Sequence, residues 1–190
     1  MDLKTAKLMG GIGAILTLLA IIPSVGWLLS IAGFVLVILA VKTISDTFKE
    51  NKIFTNYLVA VVLSIASSLI LVIGGVASTF RIIGIILQGL RIGIWRLGGG
   101  LAIGVILLLL ISWVVFVIGN YFIKSSFDEI GEKTGEKNFK TSGLLLFIGS
   151  ILLVAFGIGL IVLFVGVIFE IISFFSMPEN LVKQEETKIT

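Results

Sequence analysis

Clusters of charged residues divide this chain into long apolar stretches, and this division limits its possible folds more than any other feature. Of its 190 residues, 58% are hydrophobic and 13% are charged, whereas about a quarter of an average soluble domain is charged. A run of roughly 18 apolar residues is long enough to cross a hydrocarbon core as a helix. The charged clusters are 2–7, 42–52, 81–96, 124–140 and 179–188. The sequence therefore predicts an all-α, polytopic membrane helical bundle.

Two of the apolar stretches are too long for one crossing, so each is predicted to form a helical hairpin. Pro23 and Gly26 interrupt the first stretch, and Gly157 and Gly159 interrupt the second. Proline removes a backbone donor, and glycine accepts turn conformations, so both favour a break. The six predicted spans, arranged as hairpin, two central spans and hairpin, are 8–22, 26–43, 55–78, 101–123, 141–156 and 160–176. Together with a hydrophilic tail, 177–190, they form a single membrane domain.

Residues 79–97 carry arginines on one side of a helical wheel and apolar residues on most of the remainder. Arg81, Arg91 and Arg96 share that side. This pattern is typical of an amphipathic helix lying in the membrane interface. The arginines are candidate contacts for anionic lipid headgroups, with plain interfacial anchoring as the alternative. The glycines at 98–100 are predicted to end this helix.

The lysines predict the topology, because cytoplasmic loops carry an excess of positive charge. If the N-terminus lies in the cytoplasm, six spans place both lysine-bearing connectors, 44–54 and 124–140, and the tail on the same side. Connector 124–140 is predicted to form a short solvated helix, with a Ser126 and Glu129 capping box and Glu129–Lys133 and Glu136–Lys140 pairs. We expect a cell-membrane protein with both termini in the cytoplasm.

The two ends of the chain resemble each other. The run Gly13-Ala14-Ile15-Leu16 lines up with Gly149-Ser150-Ile151-Leu152, and Gly26 with Gly33 lines up with Gly159 with Gly166. Such matches arise easily in glycine-rich apolar sequences, so internal duplication and chance similarity both stay open.

Glu170 is the single carboxylate within the apolar segment 162–175. An ionisable group in a membrane span is energetically expensive, which favours a function such as binding a proton or a cation. The alternative is a structural role, because Glu170 lies about two turns from the predicted end of its span. There it could reach water or pair with Lys42.

Other residue types exclude several functions. Cysteine and histidine are absent, which removes thiolate metal sites, a cysteine nucleophile and the commonest general base and metal ligand. We therefore expect no enzyme activity, no metal and no cofactor. The lysines flank membrane segments and do not form a basic domain, so nucleic-acid binding is not expected either. Serines such as Ser67 and Ser112 are expected to bond to helix backbones and not to line a pore.

Several segments resemble an uncharacterised family of archaeal and bacterial multi-pass membrane proteins, domain of unknown function 996. They include Lys42-Thr43-Ile44-Ser45-Asp46, Ser126-Phe127-Asp128-Glu129-Ile130 and residues 3–7, 10–16, 132–135, 139–145 and 173–178. The resemblance implies a prokaryotic inner membrane and a multi-pass architecture. It implies no activity and supplies no catalytic residues.

Small-residue faces are abundant in the spans, and small residues let membrane helices pack closely. We therefore expect a non-enzymatic membrane protein that acts by packing against lipid, a second copy or a partner membrane protein. The alternative is a small transporter or channel subunit that uses Glu170 as its proton or cation site, since repeats and broken helices are common in transporters.

Overall fold

A computed structural model describes residues 2–87, 94–154 and 157–179, and describes side chains for 2–76, 103–154 and 157–179. The regular elements in these ranges are helices, which confirms the all-α prediction. They are α1 (Leu3–Leu18, followed by a 3₁₀ turn, Leu19–Ile21), α2 (Gly26–Phe48), α3 (Asn51–Leu87), α4 (Ile94–Thr134), α5 (Asn138–Leu152) and α6 (Ile158–Ser176). Five of these are long and apolar enough to cross a membrane, whereas α5 is a shorter apolar helix.

Helices α3 and α4 are longer than the sequence predicted. Helix α3 has 37 residues and continues past Ser78, where a boundary between a span and an interfacial helix was predicted. Helix α4 has 41 residues and includes the glycines at 98–100, which were predicted to break it. A glycine weakens a helix by only about 1 kcal/mol, which is less than the cost of unpaired backbone groups in apolar surroundings. The predicted breaks at these two places are therefore wrong.

The predicted hairpin breaks are confirmed. The chain turns between Leu19–Ile21 and Gly26 with Ser24 at φ 71°, and it turns again at Gly157 with φ 81°. This left-handed conformation is unstrained for glycine. The first turn is also closed by hydrogen bonds, from the Gly26 amide to the Ile22 carbonyl and from the Val25 amide to the Pro23 carbonyl, each 2.9 Å.

The chain divides into two compact units. The terminal unit comprises Met1–Ala60 and Asn120–Thr190, and the central unit comprises Val61–Gly119. The terminal unit thus contains α1, α2, α5 and α6 together with the first part of α3 and the last part of α4. The central unit contains the remaining parts of α3 and α4.

Glycines bring the helices of the terminal unit into backbone contact. A Cβ atom on Gly13 would lie 2.7 Å from the Gly33 carbonyl oxygen, so α1 and α2 touch backbone to backbone. In the same way, a Cβ atom on Gly149 would lie 2.8 Å from the Leu163 amide nitrogen in α6. Helix α1 also packs on α6, where Gly11 faces the ring of Phe175. Close approach of this kind is how membrane helices gain contact without a hydrophobic driving force.

The two end hairpins bury equivalent positions. The glycine matches align the sequence of α2 with that of α6. In this register, without gaps, each of the four buried residues of α6 falls on a buried residue of α2. These pairs are Gly26 with Gly159, Gly33 with Gly166, Ala40 with Ser173, and Val41 with Phe174. Five buried positions of α1 likewise align with five of α5. The glycine matches that set this register do not depend on burial, so the agreement favours duplication over chance.

Candidate functional site

The charged segments of the terminal unit meet at one end, which we call the polar end. The two lysine-bearing connectors are joined there by an ion pair of 3.4 Å between Lys133 Nζ and a Glu50 oxygen. Lys7 of α1 pairs with Glu179 beyond α6 at 3.5 Å. Both connectors, the start of α1 and the residues after α6 therefore lie side by side, as the charge pattern predicted.

Connector 124–140 differs from its prediction. Residues up to Thr134 continue α4, so Ser126 is not a helix cap; it is buried and donates to the Ile53 carbonyl at 2.8 Å. The lysines pair with other partners, since Lys124 contacts Asp128 at 2.5 Å and Lys140 contacts Glu132 at 2.8 Å. Lys140 thus reaches Glu132 and not the predicted Glu136. Lys133 pairs with Glu50, because α4 packs against the α2–α3 connector.

A row of buried aromatic rings runs next to the polar end. This aromatic row consists of Tyr57, Phe127, Phe139 and Phe174, which come from α3, α4, α5 and α6. The ring centroids are separated by 6.3 Å, 5.6 Å and 5.1 Å along the row. The three phenylalanines are fully buried, and Phe174 also lies against Gly10 of α1. The first pair is stacked and the other two are edge-to-face, and aromatic pairs of either kind add about 0.5–1.5 kcal/mol each beyond their buried area.

Glu170 lies in α6, one turn before Phe174, and is half-buried. It is the one charged residue of α6. Among the residues that the structure describes, Glu170 has no hydrogen bond and no ion pair. The part of the chain that the structure describes thus offers the predicted site residue no polar partner.

The predicted alternative partner of Glu170, Lys42, lies elsewhere. Its ammonium group is 5.9 Å from the centroid of the Phe54 ring, a cation–π geometry. No ion pair joins Lys42 to Glu170, although both side chains belong to the described residues. The pairing suggested by sequence is therefore wrong, because the aromatic ring in α3 holds the lysine.

Tyr57 is a residue that sequence reasoning missed. Tyr57 lies on α3 and its ring neighbour Phe127 lies on α4. No rule of sequence spacing connects two residues on helices so far apart in the chain. Tyr57 is 6% exposed, and a buried tyrosine usually needs a partner for its hydroxyl. That requirement was the one signal in the sequence that could have drawn attention to it.

The other predicted site residues, Arg81, Arg91 and Arg96, cannot be placed in the same way. Arg91 lies outside the described residues, and the side chains of Arg81 and Arg96 lie outside the described side chains. The lipid-headgroup site assigned to them stays a prediction.

In the central unit, two serines form hydrogen bonds between α3 and α4. Ser67 Oγ donates to the Ser112 carbonyl, and Ser112 Oγ donates to the Ser67 carbonyl, both at 2.9 Å. The two hydroxyl oxygens are also 2.9 Å apart. This reciprocal arrangement, which we call the serine clasp, confirms that these serines bond across helices. Nearby, Ser68 bonds to the Ser64 carbonyl of its own helix.

The central unit also has an apolar groove of about 110 Å³. Its lining includes Gly74, Gly75 and Leu108. A Cβ atom on Gly75 or on Gly104 would meet nothing within 4 Å. Gly75 and Gly104 therefore leave open space, unlike Gly13 and Gly149 of the terminal unit.

The described part of the chain consists of apolar helices, and its described charged side chains lie towards one end of the terminal unit. These features define an all-α polytopic bundle with helices suited to a membrane. The chain belongs to a family described as a protein of unknown function (DUF996), which matches residues 29–168. It is 42% identical over 181 residues to the uncharacterised protein MJ1644 of the archaeon Methanocaldococcus jannaschii, covering 95% of this chain and 96% of the relative. No solved structure matches the chain.

Proposed function

We propose that this chain is a non-enzymatic integral protein of the cell membrane that acts by packing its helices against lipid, a second copy or a partner membrane protein. One observation carries the proposal: the sides of the helices are covered by exposed large apolar residues. Val72, Ile73, Leu160 and Ile161, for example, are between 61% and 67% exposed. Apolar surface of this extent is unfavourable in water and favourable in lipid.

The distribution of charge supports the same proposal. Every charged residue with a described side chain belongs to the terminal unit, and several of them pair with one another at the polar end. The positive-inside rule then favours a cytoplasmic location for the polar end and for both termini.

Membrane extraction and cysteine labelling test this placement. The chain has no native cysteine, so any maleimide label on a single-cysteine variant must be at the introduced position. Ser24→Cys, in the first hairpin turn, should react with an impermeant maleimide added to intact cells. Lys137→Cys, at the polar end, should react only after the membrane is opened. A chain released from membranes by alkaline carbonate, or the reverse labelling pattern, would contradict the proposal.

A second candidate function is a small transporter or channel subunit, and the unpartnered position of Glu170 favours it. A half-buried carboxylate without an ion pair in an apolar helix is uncommon unless it serves a purpose. Proton and cation fluxes should be compared in proteoliposomes containing the wild type, Glu170→Gln or the connector variant Glu129→Gln. Flux that is lost in Glu170→Gln alone supports this candidate, and absence of flux in folded wild-type protein argues against it.

A further inference from the structure

The apolar parts of the end hairpins are short for membrane spans. A hydrocarbon core about 30 Å thick takes about 20 apolar residues of helix. In the first hairpin, the charged residues nearest to the turn are Lys7 in α1 and Lys42 in α2. At the rise of each helix type, Lys7 lies about 23 Å from Ile21 and Lys42 lies about 24 Å from Gly26. Ile21 and Gly26 are the residues at which the helices meet the turn.

The apolar part of the second hairpin is shorter still. Its charged residues nearest to the turn are Lys140 in α5 and Glu170 in α6. Each lies about 18 Å from the end of its helix at the turn. Tilting the helices does not help, because a tilted helix crosses less depth than its own length.

Long side chains do not remove this shortfall. A lysine can extend its stem toward the headgroups, so Lys7 and Lys140 tolerate some depth. Glu170 has a shorter side chain, and among the described residues it has no ion pair to compensate for burial in hydrocarbon. If the second turn reached the far side of an ordinary core, Glu170 would lie about 12 Å below the near side. That position is energetically expensive for a carboxylate.

The turns of the end hairpins indicate where the far side of the core lies. Between Lys7 and Lys42, and between Lys140 and Glu170, the chain carries no charged residue. Trp27, at the start of α2 beside the first turn, is 61% exposed. Exposed tryptophan is typical of the boundary between headgroups and hydrocarbon. We therefore expect the first turn to lie at that boundary.

Helix α4 differs from the end hairpins. It has no charged residue between Arg96 and Lys124, which is a helical length of about 42 Å. This length exceeds what an ordinary hydrocarbon core requires. Short apolar length is therefore a property of the end hairpins and not of the whole chain.

We propose that the terminal unit binds a locally thinned bilayer, with a hydrocarbon core of about 18–24 Å at the end hairpins. Both turns then reach the far headgroup region, and the Glu170 carboxylate reaches water at the polar end. If about 18 carbons per lipid chain give a core of about 30 Å, this thickness corresponds to at most about 14 carbons. The inference rests on the proposed membrane placement, and it names phospholipids with short acyl chains as the lipid against which the end hairpins pack.

Quenching of tryptophan fluorescence by brominated lipid tests this preference, because quenching reports which lipid contacts the tryptophan. The variant Trp95→Phe/Trp113→Phe leaves Trp27 as the one tryptophan of the chain. The full chain with these substitutions should be reconstituted in brominated phosphatidylcholine mixed with competing phosphatidylcholine of about 14, 18 or 22 carbons per chain. We expect the 14-carbon lipid to bind at least about twofold more tightly than the 22-carbon lipid.

The matched control is Trp27→Phe/Trp95→Phe, which leaves Trp113 in the long apolar part of α4. Trp113 should show no preference for the 14-carbon lipid. Trp27 and Trp113 belong to the same protein in the same vesicles, so a difference between them reports the surface of each helix and not the state of the vesicle.

Thermal unfolding in the same lipids tests the position of Glu170. The unfolding temperature of the wild type should fall from the 14-carbon to the 22-carbon lipid, because a thicker core covers the carboxylate. Glu170→Leu should reduce this fall. Glu129→Leu, which removes a carboxylate of connector 124–140, should leave the fall unchanged. An equal fall in Glu170→Leu and the wild type would overturn the placement of Glu170 at the edge of the core.

The thinned bilayer is overturned if Trp27 prefers the 18-carbon or 22-carbon lipid, or if Trp27 and Trp113 have the same preference. It is also overturned if Ser24→Cys fails to react with an impermeant maleimide in sealed vesicles of every chain length, since the first hairpin would then turn inside the hydrocarbon. Failure of the proposed function has a different result. A chain outside the membrane would show no quenching by any lipid and would be released by alkaline carbonate.

Discussion

Glycine residues in this chain have two kinds of surroundings, and the difference decides what a methyl group would do at each. Gly33 of α2 faces the backbone of α1, where a Cβ atom would contact the Gly13 carbonyl oxygen and lie 2.7 Å from the Thr17 amide nitrogen. Backbone atoms cannot move aside as a flexible side chain can. Gly104 of α4, in contrast, has nothing within 4 Å of the Cβ position.

We therefore expect Gly33→Ala to destabilise the protein by about 1–3 kcal/mol, as overpacking generally does. Gly104→Ala is the matched control. It should be neutral or stabilising by up to about 1 kcal/mol, because alanine is the better helix former. Thermal unfolding followed by circular dichroism in lipid nanodiscs measures both changes. Equal losses in the two variants would contradict the contact between α1 and α2.

Asp2 caps the first helix, and its protonation should affect α1. Asp2 Oδ1 accepts from the Thr5 hydroxyl at 2.6 Å and from the Thr5 amide at 2.9 Å. Chiefly the hydroxyl bond, and then the amide bond, lowers the pKa of the Asp2 carboxyl below its ordinary value of 3.8. A lowered pKa means that the cap stabilises α1 fully above about pH 3.8 and loses this effect as the pH falls through the lower, folded-state value.

Asp2→Asn keeps an acceptor oxygen and cannot titrate, so α1 should lose this acid-induced fraying in the variant. Amide hydrogen exchange at the start of α1, measured as a function of pH, compares the two proteins. A pH response that is the same in both proteins would show that the cap does not control this end.

At the scale of elements, α3 and α4 depend on the serine clasp of the central unit. Ser67 and Ser112 are 4% and 1% exposed, so their hydroxyls have no access to water. Hydrogen bonds between membrane helices contribute on average about 0.6 kcal/mol and at most about 2 kcal/mol. Removal of one hydroxyl takes away its own bond to the opposite backbone carbonyl and also the contact between the two hydroxyls. The other serine keeps its bond to a carbonyl, so the two serines are coupled through the hydroxyl contact.

We expect Ser67→Ala and Ser112→Ala each to destabilise the protein by about 1 kcal/mol, and the double variant by less than the sum. Ser68→Ala is the control, since Ser68 bonds only within its own helix and its loss should have a smaller effect. A double-mutant cycle of unfolding free energies in mixed micelles measures the coupling. Strict additivity would show that the two serines act independently.

The helical elements could be predicted from sequence where turn residues and apolar length agree, as at Pro23 and Gly157. The prediction was wrong at the glycines of 98–100, where α4 continues. Glycine marks both turns and close helix contacts, and the local sequence does not separate these uses. Whether a glycine ends a helix depends on what packs around it, and that information is not local.

At the scale of the whole molecule, the charge pattern predicted which segments lie together at the polar end, because lysine-bearing segments of a membrane protein gather on its cytoplasmic side. It did not predict the pairs themselves, such as Lys133 with Glu50. Glu170 was identified from its isolation in an apolar segment. The place of Tyr57 in the aromatic row was not predicted, because its contact with Phe127 results from the packing of α3 against α4.

The aromatic row has a consequence for how the protein is made. Synthesis proceeds from the N-terminus, and the row takes one ring from each of α3, α4, α5 and α6. Gly10 of α1 therefore has no packing partner until α6, which supplies Phe174, has been synthesised. The terminal unit closes only after that step, so its first hairpin is complete before its packing partner exists.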